Sequence, residues 1–184
     1  PMVYTARMVK KEHPDAKIVF VGPCAAKKLE AIRENIRSDV DFVLTFEELM
    51  GMFEAKGVDF NSLPDDPNDN FDDASADGRG FAVSGGVAQA VVNAIKKIDP
   101  DREVKVVSAQ GLAECKKMMQ LAAAGKYNGY LLEGMACPGG CIAGAVTLAD
   151  PGRSAMMLNK YKTQASMKSA VDTPYKDTLD RLKY

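Results

Sequence analysis

The stretch Lys17-Ile18-Val19-Phe20-Val21-Gly22-Pro23-Cys24-Ala25-Ala26-Lys27-Lys28 sets the reading of the chain. Its apolar run from Ile18 to Val21 reads as a buried strand. Gly22-Pro23 ends that strand, because proline fixes φ and removes a backbone donor. A helix-compatible run then continues from Ala25 to about Asn35. The same alternation recurs down the sequence. Asp41-Phe42-Val43-Leu44 reads as a second strand, and Thr45-Phe46-Glu47-Glu48 as a capping box in which Thr45 caps a helix and Glu48 reaches back. Phe81-Ala82-Val83 is expected to be a short strand. Ser84-Gly85-Gly86 opens a helix over Val87 to Ile98. Val104 to Val107 is another strand, Leu112 to Ala124 a helix closed by Gly125, and Tyr130-Leu131-Leu132 the last strand. Strands and helices in alternation predict an α/β fold around a mainly parallel sheet. Residues 1–184 are expected to form one domain, with a solvated acidic loop over 59–80 and a polar helical tail over 150–184.

Composition narrows the functional classes. Of 184 residues, 46% are hydrophobic, and 24 Lys and Arg nearly balance 25 Asp and Glu. A chain this long buries roughly 70% of its unfolded surface, so a core can form without disulfide staples. The charge balance argues against nucleic acid and against an anionic membrane surface as partners. No apolar run is long enough to span a bilayer and no signal-peptide hydrophobic segment opens the sequence, so a cytoplasmic protein is the default. Pro1 fits either a removed initiator methionine or a piece of a longer chain.

Four cysteines, at positions 24, 115, 137 and 141, are the residues with chemistry to offer. In a neutral chain of this type they point to metal ligation or redox chemistry more than to disulfides. Cys24 follows the first strand. Cys137 and Cys141 lie in Glu133-Gly134-Met135-Ala136-Cys137-Pro138-Gly139-Gly140-Cys141, directly after the last strand. Strand C-termini are where α/β sheets place ligands. Gly139 and Gly140 allow a tight turn between two sulfurs, and Pro23 and Pro138 stiffen the approaches. Thiolates alone suit an iron–sulfur cluster or zinc. Lys27, three residues past Cys24, offers a cation that favours the thiolate. Against this stands plain packing, since a cysteine near Gly and Pro is often a small buried residue. Zinc is weakened by spacings that match no common finger. Cys115, within a helical run, reads as a core residue. His13 reads as a solvated loop residue, and the methionines at 118, 119, 156 and 157 as core filling.

Together the two cysteine segments resemble the FeFe hydrogenases. Pro23-Cys24-Ala25-Ala26-Lys27-Lys28-Leu29-Glu30 resembles a segment of form PCxxKxxE, and Glu133 to Cys141 resembles ExMACxxGC. Asp39 to Thr45 and Ser84 to Val87 look familiar in the same order, so the resemblance spans roughly residues 16 to 145. It implies one lobe of the catalytic domain that binds the H-cluster, a 4Fe-4S cubane joined through a cysteine sulfur to a diiron unit. Carried over, Cys24 and Cys137 would hold the cubane and Cys141 would bridge to the diiron unit. Lys27 would hydrogen-bond a diiron cyanide, and Pro23 and Met135 would pack against the diiron unit. Gly85 and Gly86 would let backbone approach it, although a plain helix start after Ser84 explains them equally well.

The resemblance further implies reversible oxidation of dihydrogen with a ferredoxin-like electron carrier. Three departures accompany it. The Thr-Ser-Cys-Cys-Pro type segment that supplies the fourth cubane ligand is absent, so the N-terminal remainder of a longer chain would supply that cysteine, and this fragment alone is expected to be inactive and to bind no cofactor. Gly22 stands where well-studied members have methionine. Cys141 is followed by Ile142-Ala143-Gly144-Ala145-Val146-Thr147 in place of a glycine-rich run. The alternatives are a non-catalytic relative, serving cluster assembly or redox sensing, and a zinc-stabilised binding module.

Overall fold

The computed structural model describes residues 1–64 and 74–174. They fall into two compact units, one built from residues 1–64 with 144–148 and the other from 74–143 with 149–174.

In the first unit, β1 (Val19–Gly22) and β2 (Phe42–Thr45) pair in parallel, Val19 opposite Phe42 and Gly22 opposite Thr45. Helix α2 (Ala26–Ala31) lies between them in sequence, and α3 (Phe46–Ala55) follows β2. The capping box at Thr45 forms as read: its hydroxyl accepts from the Glu48 amide at 3.2 Å, and Glu48 accepts from the Thr45 amide at 2.8 Å. Lys28 also donates to Glu48, and these hydrogen bonds, the Lys28 one foremost, hold the Glu48 carboxyl below its ordinary range. An additional helix that periodicity did not suggest, α1 (Met2–Glu12), closes the core. It buries Met2 and Ala6 with Ala31 and Val40, against Ile18, Phe20 and Val43. Its polar face is tied down at long range: Arg7 pairs with Asp39 at 2.9 Å and Lys10 with Asp41 at 3.1 Å.

These ties also explain why α2 is shorter than the expected run to Asn35. Arg7 donates to the Asn35 carbonyl and Lys10 to the Ser38 carbonyl, and the chain from Ile32 to Asp39 turns instead of continuing as helix. Asp41 accepts from the Ile18 amide at 2.8 Å. That bond, with Lys10 and Lys17 alongside, lowers its pKa to about 2.

The second unit repeats the pattern with longer strands. β3 (Lys105–Gln110) and β4 (Tyr130–Met135) pair in parallel over six residues, with Ser108 opposite Glu133 and Gln110 opposite Met135. Helix α6 (Leu112–Ala123) connects them, and Gly125 beyond its end takes φ +84°, the left-handed conformation foreseen for it. Helices α4 (Ala76–Arg79), α5 (Gly86–Ile98) and α7 (Pro151–Thr163) complete the unit.

Three expectations need correction here. Phe81-Ala82-Val83 is not a strand, since Gly80–Ala82 form a 3-10 turn. The turn is enforced by packing: a Cβ on Gly86 would lie 1.9 Å from the Gly80 carbonyl oxygen, so the backbone folds back on itself. The stretch 59–80 is not loop throughout, because Phe60–Ser62 and Ala76–Arg79 are helical; residues 65–73 lie outside the described part. Of the four methionines assigned to cores, only Met118 is buried, and Met119, Met156 and Met157 stand on outward helix faces, 59–69% exposed. Of the tail, 151–163 is helical as expected, and 175–184 lie outside the described residues. Among the described residues no helix is long and apolar enough to cross a membrane.

Candidate metal centre

Each unit carries its own part of the predicted site. In the first, Pro23 and Cys24 follow the end of β1 and are half-buried. Lys27, one turn on, is half-buried and its ammonium is paired with Glu30. Gly22 has a local explanation. The Phe20 ring folds over it, and a Cβ at position 22 would stand 2.8 Å from Phe20 Cε1. An aromatic ring two residues upstream thus occupies the space a larger side chain would need.

In the second unit the predicted residues come together around two backbone segments. Met135 ends β4, and the chain turns through Cys137, Pro138, Gly139 and Gly140 to Cys141. Both glycines are left-handed, at φ +88° and +96°, which side-chain-bearing residues rarely adopt. Gly140 is also pressed against the segment preceding α5, where a Cβ would lie 2.5 Å from both the Ala82 carbonyl oxygen and the Ser84 amide nitrogen. The Ser84 amide donates to the Gly139 carbonyl at 3.2 Å, and the Gly139 amide to Gln110 Oε1 at 2.7 Å. The cysteine turn is therefore pinned to Ala82-Val83-Ser84 and to the end of β3. Gly85, at φ +86°, forms the left-handed entry to α5. Cys137 is half-buried and Cys141 exposed.

Glu133, quoted in the sequence motif, is the residue to which the sequence reading gave no role. It points from β4 to α5, is 7% exposed, and its Oε1 accepts from the Val87 and Ala88 amides at 3.1 and 3.0 Å. A carboxyl group here satisfies two of the orphan donors of the helix N-terminus. Its other oxygen, Oε2, is buried without a hydrogen-bond partner, 3.9 Å from where a Gly85 Cβ would be. The available signals were its place at the head of the ExMACxxGC segment and its acid character directly after the apolar run of that strand. On the opposite face of β4, Gly134 makes room for Cys115, whose thiol lies 3.6 Å from the carbonyl oxygens of Ala109 and Met135. Cys115 is a packing residue, as read.

The donor set fits a soft metal or an iron–sulfur group. The cysteines are thiols outside any disulfide. Two of them bracket a turn whose glycines take left-handed φ and pack closely against Ala82–Ser84 and Ala143, and thiolates as the donors suit a soft metal or cluster. Among the described residues no three Cys, His, Asp or Glu side chains group into a metal-holding set.

The chain belongs to the iron-only hydrogenase large-subunit family, matching its C-terminal domain over residues 1–145. It is 31% identical over 180 residues to the periplasmic iron hydrogenase large subunit of Nitratidesulfovibrio vulgaris, covering 81% of this chain and 43% of that one. It is also 32% identical over 158 residues to the NADP-reducing hydrogenase subunit HndD of Solidesulfovibrio fructosivorans, covering 69% of this chain and 27% of that one. The chain thus spans less than half the length of these relatives. A shorter similarity, 36% over 62 residues, links it to the cytosolic Fe-S cluster assembly factor NAR1 of Kluyveromyces lactis, covering 34% of this chain and 13% of that one. A variant of the FeFe-hydrogenase HydA1 from Chlamydomonas reinhardtii shares the fold, with a TM-score of 0.64 at 19% identity over 99% of this chain and 64% of that one.

Proposed function

We propose that this chain is the C-terminal part of an iron hydrogenase catalytic domain, contributing Cys24, Cys137 and Cys141 as thiolate ligands to an H-cluster. The observation that supports it most is the Cys137–Cys141 turn, left-handed at both glycines and locked by hydrogen bonds to Ser84 and Gln110. A turn held this way fixes the backbone that carries the two cysteines, which lowers the ordering cost of ligation. The bound group would supply electron storage and the chemistry of dihydrogen.

The chain's own residues do the positioning. Cys24, Cys137 and Cys141 hold iron, Lys27 offers an ammonium once released from Glu30, and Pro23, Met135, Gly85 and Gly86 shape the walls. The N-terminal remainder would add the fourth cysteine, without which this fragment is inactive, and a ferredoxin-like carrier would exchange electrons in the cytoplasm.

The match to a cluster assembly factor favours one second reading: a hydrogenase-like protein that holds a cubane without the diiron unit. Anaerobic metal analysis and infrared spectroscopy of the protein, together with any sequence that precedes this chain, separate the two. Iron with acid-labile sulfide and CO and cyanide bands is expected, and Cys137→Ser and Cys141→Ser should each abolish the bands. Iron and sulfide without bands would establish the second reading, and zinc in their place would overturn both.

A further inference from the structure

Pro138, Gly139 and Gly140 lie between Cys137 and Cys141, and the backbone donors they offer are few. Pro138 has no N–H. The Gly140 amide donates to the Cys137 carbonyl at 3.0 Å, which closes the turn on itself. The Gly139 amide leaves the turn and donates to Gln110 Oε1 at 2.7 Å. Each N–H between the two cysteines is thus spent on an oxygen and none on a sulfur. That distribution matters for a cluster, because hydrogen bonds to the sulfurs are among the factors that set its reduction potential.

The end of β3 holds Gln110 where it can take this donor. Gln110 stands opposite Met135 in the last pair of the parallel ladder. Its own amide donates to Glu114 Oε2 at 3.2 Å, and the next amide, that of Gly111, donates to the Met135 carbonyl at 2.8 Å. These two bonds fix the backbone from which the Gln110 side chain extends. Gly139 is then held from outside the turn at both its polar groups, the N–H by Gln110 and the C=O by the Ser84 amide at 3.2 Å. The Ser84 tie is backbone and survives any substitution other than proline. The Gln110 tie belongs to one exposed side chain, so it can be removed without disturbing a core.

We propose that Gln110 is a positioning residue of the metal centre: by accepting from the Gly139 amide it sets the conformation of the Cys137–Cys141 turn and keeps that donor off the ligand sulfurs. The assignment rests on the thiolate-ligand reading of this turn and adds to it a residue that ligates nothing. Removing the acceptor has two effects. The turn loses one of its two ties at Gly139, so ordering it around iron costs more. The freed N–H also becomes available to a cysteine sulfur, and such a bond favours the reduced, more negative state and raises the potential.

The test uses the protein with any sequence that precedes this chain, loaded anaerobically with iron and sulfide. It compares Gln110→Leu, similar in size but without an acceptor, with Gln110→Glu, which keeps length and acceptor. The leucine variant should lose iron to a competing chelator roughly three- to tenfold more readily, the worth of one hydrogen bond, and its cluster potential should rise. The glutamate variant should hold iron as the wild type does, with a potential unchanged or lower, a rescue that side-chain packing alone would not produce. Wild-type iron retention in the leucine variant, equal loss in both variants, or a potential that does not rise in the leucine variant would overturn the assignment and leave the functional reading standing. A wild-type protein that takes up no iron would refute that reading itself, and the assignment with it.

Discussion

Removing the Glu133 carboxyl group should loosen the start of α5 more than any other single truncation near the cysteine turn. In the folded chain one oxygen serves the Val87 and Ala88 amides at 3.1 and 3.0 Å, and Ala88 is only 4% exposed, so water is a poor replacement. Each hydrogen bond to a charged group contributes about 1.5–3 kcal/mol net, whereas relieving the unpaired Oε2 returns about 1–3 kcal/mol. Glu133→Ala should therefore cost about 2–3 kcal/mol, a shift of roughly 1 M in the urea midpoint. Glu133→Gln keeps the accepting oxygen and loses only the charge, so about 1 kcal/mol is expected. Amide hydrogen exchange localises the effect. Val87 and Ala88 should exchange roughly 30- to 150-fold faster in the alanine variant, with β1 and β2 unaffected. A loss under about 0.5 kcal/mol, or unchanged exchange at those two amides, would show that the carboxyl group does not hold the helix.

Gly140→Ala should destabilise the second unit by about 2 kcal/mol or more, since it imposes a left-handed alanine and a Cβ 2.5 Å from backbone; chemical denaturation measures the loss, and iron content should fall with it. Cys115→Ala should leave iron per chain unchanged and cost about 1 kcal/mol, because its thiol faces only the carbonyls of Ala109 and Met135; loss of iron would make it a ligand. Asp41 sets an acid limit on the first unit. Its folded pKa, about 2, lies below the ordinary 3.8, so its contribution is complete above pH 3.8 and disappears as pH falls through 2. Asp41→Asn should flatten the decline of the urea midpoint across that window, and an unchanged slope would assign the acid sensitivity elsewhere.

What was legible in the sequence was local. The capping box at Thr45, the left-handed Gly125 and the four paired strands all follow from neighbours a few residues apart, and the structure has each of them. What was not legible depends on distant partners. α1 has a polar surface whose meaning appears only when Arg7 meets Asp39 and Lys10 meets Asp41. Phe81-Ala82-Val83 has strand composition, yet Gly86 packs onto the Gly80 carbonyl and bends it into a turn, a tertiary contact overriding propensity. At the candidate site the cysteines, the glycines and Glu133 were visible as a motif, but the motif does not say that Glu133 caps α5, and Gln110, which holds the turn, carries no signature beyond being polar at a strand end.

The pairing of β3 with β4 has a consequence for how the second unit is made. Successive residues of β4 face opposite ways, Glu133 to α5 and Gly134 to Cys115. Were β4 to dock one residue out of step, every side chain would change face. The carboxyl group would leave the α5 amides uncapped, a side chain would arrive where Cys115 needs a glycine, and Gln110 would miss the Gly139 amide. A mispaired strand therefore cannot carry a well-formed cysteine turn, and the geometry of that turn is decided when the two strands choose their register.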